Sequence, residues 1–190
     1  FPRGPAEPRG NVVQGSDGSF YGTTYGGGSS GAGTVFQVTT NGILARLASF
    51  NGTNGAVPWA SLTLGSDGSF YGTTSSGGSD GYGTVFQVTT NGALTTLVSF
   101  SSTNGANPYA GLTRGGDGNF YGTTFQGGNG GNGTVFKVTT NGTLTTLVVF
   151  AGTNGAGPLA ALTLGSDGNF YGTTSYGGSG GVGTVFKVTT

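Results

Sequence analysis

A chain of 190 residues with 44 glycines, 6% charged and 12% aromatic residues has too many Phe and Tyr side chains for a typical disordered polymer. The formal net charge is zero, and the six basic residues (Arg3, Arg9, Arg46, Arg114, Lys137 and Lys187) are dispersed, so no phosphate-binding stripe and no nucleic-acid partner are expected. No apolar run approaches the roughly 18–20 residues that span a bilayer, and zero Cys and zero His remove disulfides, the commonest metal ligands and the usual general base.

In chain order, residues 1–10 (FPRGPAEPRG) hold three prolines and read as an extended N-terminal arm or linker. From Asn11 the chain repeats itself. DGSFYGTT at 17–24 and 67–74 returns as DGNFYGTT at 117–124 and 167–174, always 50 residues on. The units run 11–59, 60–109, 110–159 and 160–190. In the second, β-type segments fall at Ser61–Leu64, Ser69–Thr74, Thr84–Thr89 and Leu94–Phe100, rich in β-branched and aromatic residues and bounded by turn formers. Val85, Gln87 and Thr89 alternate with Phe86 and Val88, as on a strand with two unlike faces, and no helical periodicity occurs.

The connections predict meanders. Asn91-Gly92 reads as a two-residue hairpin turn with positive φ at both positions, and Asp67-Gly68 as an Asx-type turn. SSGGSDGYG reads as a long mobile loop. Pro58, Pro108 and Pro158 precede the first strands, where a missing N–H does no harm. Four antiparallel strands per unit of about 50 residues predict an all-β fold, a β-propeller of four four-stranded blades. In it Phe20, Phe70, Phe120 and Phe170 and the Tyr beside each alternate across the sheet, with one of each pair packed between blades. The last unit stops after its third segment and leaves an edge, so completion by another subunit, or growth into a filament, stands beside closure as a ring of four.

Candidate sites are few. Asp17, Asp67, Asp117 and Asp167 lie before glycine and serve turns; no second acid stands near for a metal or a glycosidase pair. With no His and only two Lys no activated nucleophile is in view, so the chain is expected not to be an enzyme and to need no cofactor or metal. The repeats differ in their aromatics: Trp59 and Tyr109 follow the inter-blade prolines, Tyr25, Phe125 and Tyr176 follow the YGTT strands, and Tyr82 lies deeper in a loop. Variable loop aromatics suit either a sugar-binding surface or a subunit contact. Asn51, Asn132 and Asn141 match the N-glycosylation acceptor, although Asn141 is also required by its hairpin.

The string P-x-A-x-L-T-x-G-x-D-G-x-F-Y-G-T-T, followed by G-T-V-F-x-V-T-T-N-G-x-L-x-x-L, resembles the GloVer tandem repeat of bacterial surface and secreted proteins from Asn11 to Thr190. It is more weakly similar to the NHL-type propeller blade, but GTT stands where that pattern has an acid. The resemblance implies an extracellular or cell-surface location in bacteria and supplies no catalytic residues. The expected function is a repeat scaffold that self-assembles into an oligomer or filament and mediates surface interactions. A lectin-like propeller binding surface glycans is the alternative.

Overall fold

The computed structural model describes residues 6–189, which form four antiparallel sheets and no helix. The first holds β1 (Ala6–Pro8), β2 (Val13–Gln14), β3 (Phe20–Gly26), β4 (Thr34–Val38) and β5 (Leu44–Ser49). The second holds β6 (Thr63–Leu64), β7 (Phe70–Thr74), β8 (Thr84–Val88) and β9 (Leu94–Ser99). The third holds β10 (Thr113–Arg114), β11 (Phe120–Thr124), β12 (Thr134–Val138) and β13 (Leu144–Val149), and the fourth β14 (Thr163–Leu164), β15 (Phe170–Thr174) and β16 (Thr184–Val188). The last three sheets are meanders in chain order, and the first is the same meander from β2 to β5 with β1 also paired to β3, so the chain is built of four propeller blades, the last with three strands. The innermost strand is shorter than the sequence suggests. Thr63 and Thr113 instead donate their hydroxyls to the Leu112 and Leu162 carbonyls of the next blade, at 2.6 and 2.5 Å, which ties neighbouring inner strands together outside any ladder.

The recurrent YGTT follows from what each letter touches. Gly72 faces Phe86 across the ladder, and a Cβ there would stand 2.6 Å from the Phe86 ring, so only glycine lets the ring cross the sheet. Thr73 donates to the Ala110 carbonyl of the following blade at 2.9 Å. Thr74 bonds Thr84 at 2.8 Å beneath the loop and receives the Thr84 N–H, satisfying buried polar atoms. That loop, expected to be mobile, is pinned instead. Gly77 bridges Tyr82, and Ser76 pairs with Ala56 through hydrogen bonds of 2.8 and 3.1 Å.

The hairpins also differ from expectation. Gly92 takes φ 88°, but Asn91 is not among the positive-φ residues; Gly92 N–H donates to Thr89 O and Thr89 N–H to Ala93 O. This is a type I turn closed by a left-handed glycine, which lets a longer connection keep the strand twist. The Thr89 hydroxyl caps the turn by bonding Asn91, an interaction the two-residue reading had not included.

Residues 1–10, read as an arm, are not separate from the first blade where they are described. Ala6 pairs with Gly26 and Pro8 with Thr24, as Ala56, Ala106 and Ala156 bridge the matching residues Ser76, Gln126 and Tyr176. Ala6-Glu7-Pro8-Arg9 is therefore the counterpart of Ala56-Val57-Pro58-Trp59, hidden because only the alanine and proline recur. Residues 1–5 of the arm lie outside the described residues.

The core is a series of blade junctions. In the second and third FY pairs both the Phe and the Tyr are used, not one. Tyr21 stacks on Phe70, Tyr71 on Phe120 and Tyr121 on Phe170, with centroids 4.2, 4.1 and 4.1 Å apart. Phe50, Phe100 and Phe150, just after the outer strands, meet Phe86, Phe136 and Phe186 edge to face. Three buried clusters result, one per junction between consecutive blades. The fourth blade's outer face has no such partner among the described residues. Val185 is 80% exposed where Val35, Val85 and Val135 are at 0%. At the other end Val12 is 48% exposed where Leu62, Leu112 and Leu162 are at 3–5%, and Phe20 is half-buried where its repeats are buried. The four blades form an open arc.

Candidate functional site

At each entry to an inner strand the backbone is left-handed before proline: Glu7, Val57, Asn107 and Gly157 have φ of 61°, 61°, 55° and 62°. The Val57 N–H donates to Ala32 O at 2.8 Å, and its carbonyl accepts the Ser75 N–H and hydroxyl at 3.0 Å each, so loops of two blades hold it there. A β-branched residue in this region stores strain. Val57→Asn, matching the third repeat, is expected to raise stability by about 1 kcal/mol, read as a higher unfolding temperature. An unchanged or lower temperature would mean that Val57 is not strained.

The residues held by these entries meet in one line. Tyr25 packs edge-on to Trp59 with centroids 5.0 Å apart, Trp59 to Tyr109 at 6.0 Å and Tyr109 to Phe125 at 5.6 Å. Phe125 and Tyr176 both border Gly157, where an added Cβ would lie 2.9 and 3.1 Å from their rings. Five of the six aromatics singled out by sequence thus form a crescent across the blades. Tyr82 stands apart, in a groove with Ser102, Thr103 and Gln126. Sequence reasoning missed Arg9, which occupies the Trp59 position of the first blade and lies 5.3 Å from the Tyr25 and 4.9 Å from the Trp59 ring centroid. Glu7 neutralises it at 2.8 Å. Beside Trp59 and Arg9 opens a cavity of about 400 Å3 lined also by Asn11, Ser61, Thr63 and Leu112.

The turn aspartates are committed to structure. Asp17, Asp67, Asp117 and Asp167 accept the hydroxyls of Tyr21, Tyr71, Tyr121 and Tyr171 at 2.8–2.9 Å and the N–H two residues on at 3.1 Å. Gln37 and Gln87 complete the first two clusters, while Lys137 and Lys187 form ion pairs of 2.9 and 3.2 Å in the others. Burial raises the Asp67 carboxyl, but its hydrogen bonds from Tyr71 and Ser69 outweigh this and hold it below its usual value. Burial, with Asp67 or Asp17 as acceptor, pushes the Tyr71 and Tyr21 phenols up to about 12. A phenol raised on folding stabilises fully below its unfolded value near 10 and loses that contribution as pH climbs through its folded value. Thermal stability should therefore fall between roughly pH 10 and 12, and Tyr21→Phe with Tyr71→Phe should flatten that fall. An unchanged fall in the double variant would assign it to other groups. Among the described residues no three His, Cys, Asp or Glu side chains gather as a metal site.

The chain matches the Gloeobacter/Verrucomicrobia repeat over residues 3–186. It belongs to that family. No curated protein matches this repeat chain in sequence. In fold it is similar to virginiamycin B lyase from Staphylococcus aureus, with a TM-score of 0.64 and 18% identity over 98% of this chain and 57% of that one. It is also similar to a gluconolactonase from Xanthomonas campestris, with a TM-score of 0.57 and 13% identity over 93% of this chain and 55% of that one. The repeat chain thus spans little more than half the length of either structure. These neighbours correct the expectation that the chain is not an enzyme. Its architecture is shared with proteins named as a lyase and a lactonase, so missing His and Cys do not exclude catalysis. Asp, Lys and Tyr can also move protons. At these identities the likeness extends to the fold alone.

Proposed function

We propose that this repeat chain is a scaffold of the bacterial cell surface that assembles with copies of itself, the first blade of one docking on the fourth blade of the next. The observation that carries this is Val185, 80% exposed at a position buried to 0% in the other three blades. The two open faces complement each other by repeat symmetry. Tyr171 would stack on a neighbour's Phe20 as Tyr121 stacks on Phe170 at 4.1 Å. Thr163, the counterpart of Thr63 and Thr113, would donate to a neighbour's Val12 carbonyl as they do to Leu112 and Leu162. Apolar hollows are open on both sides, one of about 390 Å3 among Pro8, Phe36, Val38 and Leu44, the other of about 270 Å3 beside Tyr171, Gly172 and Val185.

Burying Val185 alone is worth about 1.5–3 kcal/mol, and the aromatic pair adds to it. Such a head-to-tail contact closes into a ring if its rotation allows and otherwise extends as a filament. The surface location rests on the family resemblance. Light scattering over a concentration series tests the assembly: the mass should exceed the 18.6 kDa of one chain several-fold. Val185→Asp, which sets a charge in the contact but disturbs nothing buried within one chain, should return it to a single chain. A wild-type chain of 18.6 kDa at every concentration would overturn the proposal.

A further inference from the structure

Two of the remaining hollows belong to the open faces, and the Asp–Tyr clusters are spent on their turns. The crescent and the cavity beside it lie outside the three stacked Tyr–Phe pairs of the blade junctions, although Thr63 and Leu112 at the cavity floor also tie the inner strands together. We propose that Tyr25, Trp59, Tyr109 and Phe125, with the cavity beside Trp59, bind a neutral glycan built of β-linked hexoses.

Three observations point to that chemistry. First, the aromatics are half-buried and brace one another edge to face at 5.0–6.0 Å, so they are held in place without a ligand and lose little freedom on binding one. A β-linked glucose ring carries its hydroxyls equatorially and presents C–H groups on both faces, which suits successive contacts along an aromatic rim. Second, the rim is uncharged apart from Arg9, and Glu7 already pairs with it at 2.8 Å. An anionic chain would find no unpaired cation there. Third, the cavity supplies short-range polar groups. Ser61 Oγ accepts the Asn11 N–H at 2.8 Å and keeps its own proton to give, and the Asn11 side-chain amide makes no hydrogen bond among the described residues. A rim for stacking with polar groups below it is the arrangement that orients a sugar.

Trp59 is the single tryptophan of the chain and sits in the crescent between Tyr25 and Tyr109, so its fluorescence reports the site directly. Cellohexaose titrated into the wild-type chain should shift Trp59 emission saturably, while hexagalacturonate at the same concentrations should not. Tyr109→Ala and Phe125→Ala should each weaken cellohexaose at least tenfold with little change in unfolding temperature. Tyr82→Ala, away from the crescent, should leave it unchanged. The titration is repeated on Val185→Asp, so that loss of assembly and loss of sugar binding are read separately. Emission that ignores cellohexaose up to millimolar concentration would overturn the proposal. Emission that instead follows protein concentration would assign the crescent to a contact between copies, and a response to hexagalacturonate alone would make Arg9 the determinant of an anionic site; both also overturn it.

Discussion

Phe120→Ala should cost about 3–5 kcal/mol, while Phe20→Ala, the same repeat position in the first blade, should cost less than half of that. The side chains differ only in what lies beyond them. Phe120 is at 0% exposure, stacked on Tyr71 at 4.1 Å within the junction of the second and third blades, so its removal leaves a cavity that backbone on both sides prevents from collapsing. Phe20 is only half-buried, because no blade packs on that face among the described residues, so part of its surface is already exposed before the mutation. In a chain of this size each kcal/mol moves the unfolding temperature by about 2–4 °C, so calorimetry resolves the pair easily. Both are compared in the Val185→Asp background, which keeps a second copy off Phe20. Equal losses would mean that the first blade's face is covered within one chain, as in a closed ring.

Gly122→Ala should destabilise by about 2–3 kcal/mol, and Gly172→Ala by distinctly less. A Cβ at Gly122 would stand 2.6 Å from the Phe136 ring and 3.0 Å from Leu112 Cδ2, both buried against the second blade, so neither can retreat without displacing that blade. At Gly172 the clashes with Phe186 at 2.5 Å and Leu162 Cδ2 at 2.9 Å are as close, but Phe186, which meets Phe150 of the third blade, is only half-buried because β16 is the edge strand of its sheet. Its ring can move toward that uncovered edge. Chemical denaturation of the two variants checks the difference, and matching losses would show that Phe186 is as confined as Phe136.

Strand order and blade number were legible because Thr84–Thr89 alternates between two unlike faces, Leu94–Phe100 is rich in β-branched residues between turn formers, and the 50-residue repeat sets the blade. The aromatic crescent was half legible. Tyr25, Trp59, Tyr109, Phe125 and Tyr176 stood out as departures from the repeat, but their convergence depends on backbone at Val57 and Asn107 that no local signal announces. Asn-Gly misled on turn type, since a left-handed Gly92 alone suffices once Thr89 extends the turn. Arg9 was hidden by composition: prolines made residues 1–10 look like a linker, although Ala6 and Pro8 keep the repeat's spacing. The open arc was beyond sequence reading, because near-identical blades fix each junction and leave the number of blades that closes a ring undetermined.

Cysteine labelling tests the arc most directly, because the chain has no cysteine of its own. Val185→Cys and Val85→Cys place one thiol at the same repeat position, on a face that is open in one case and inside a junction in the other. At high dilution the first should react with a maleimide at the rate of a free thiol and the second hardly at all. Raising the protein concentration should then protect the thiol at position 185 as copies dock. If it is as inert as the thiol at position 85 even at high dilution, the four blades close on themselves and the account of an open, self-completing arc is wrong.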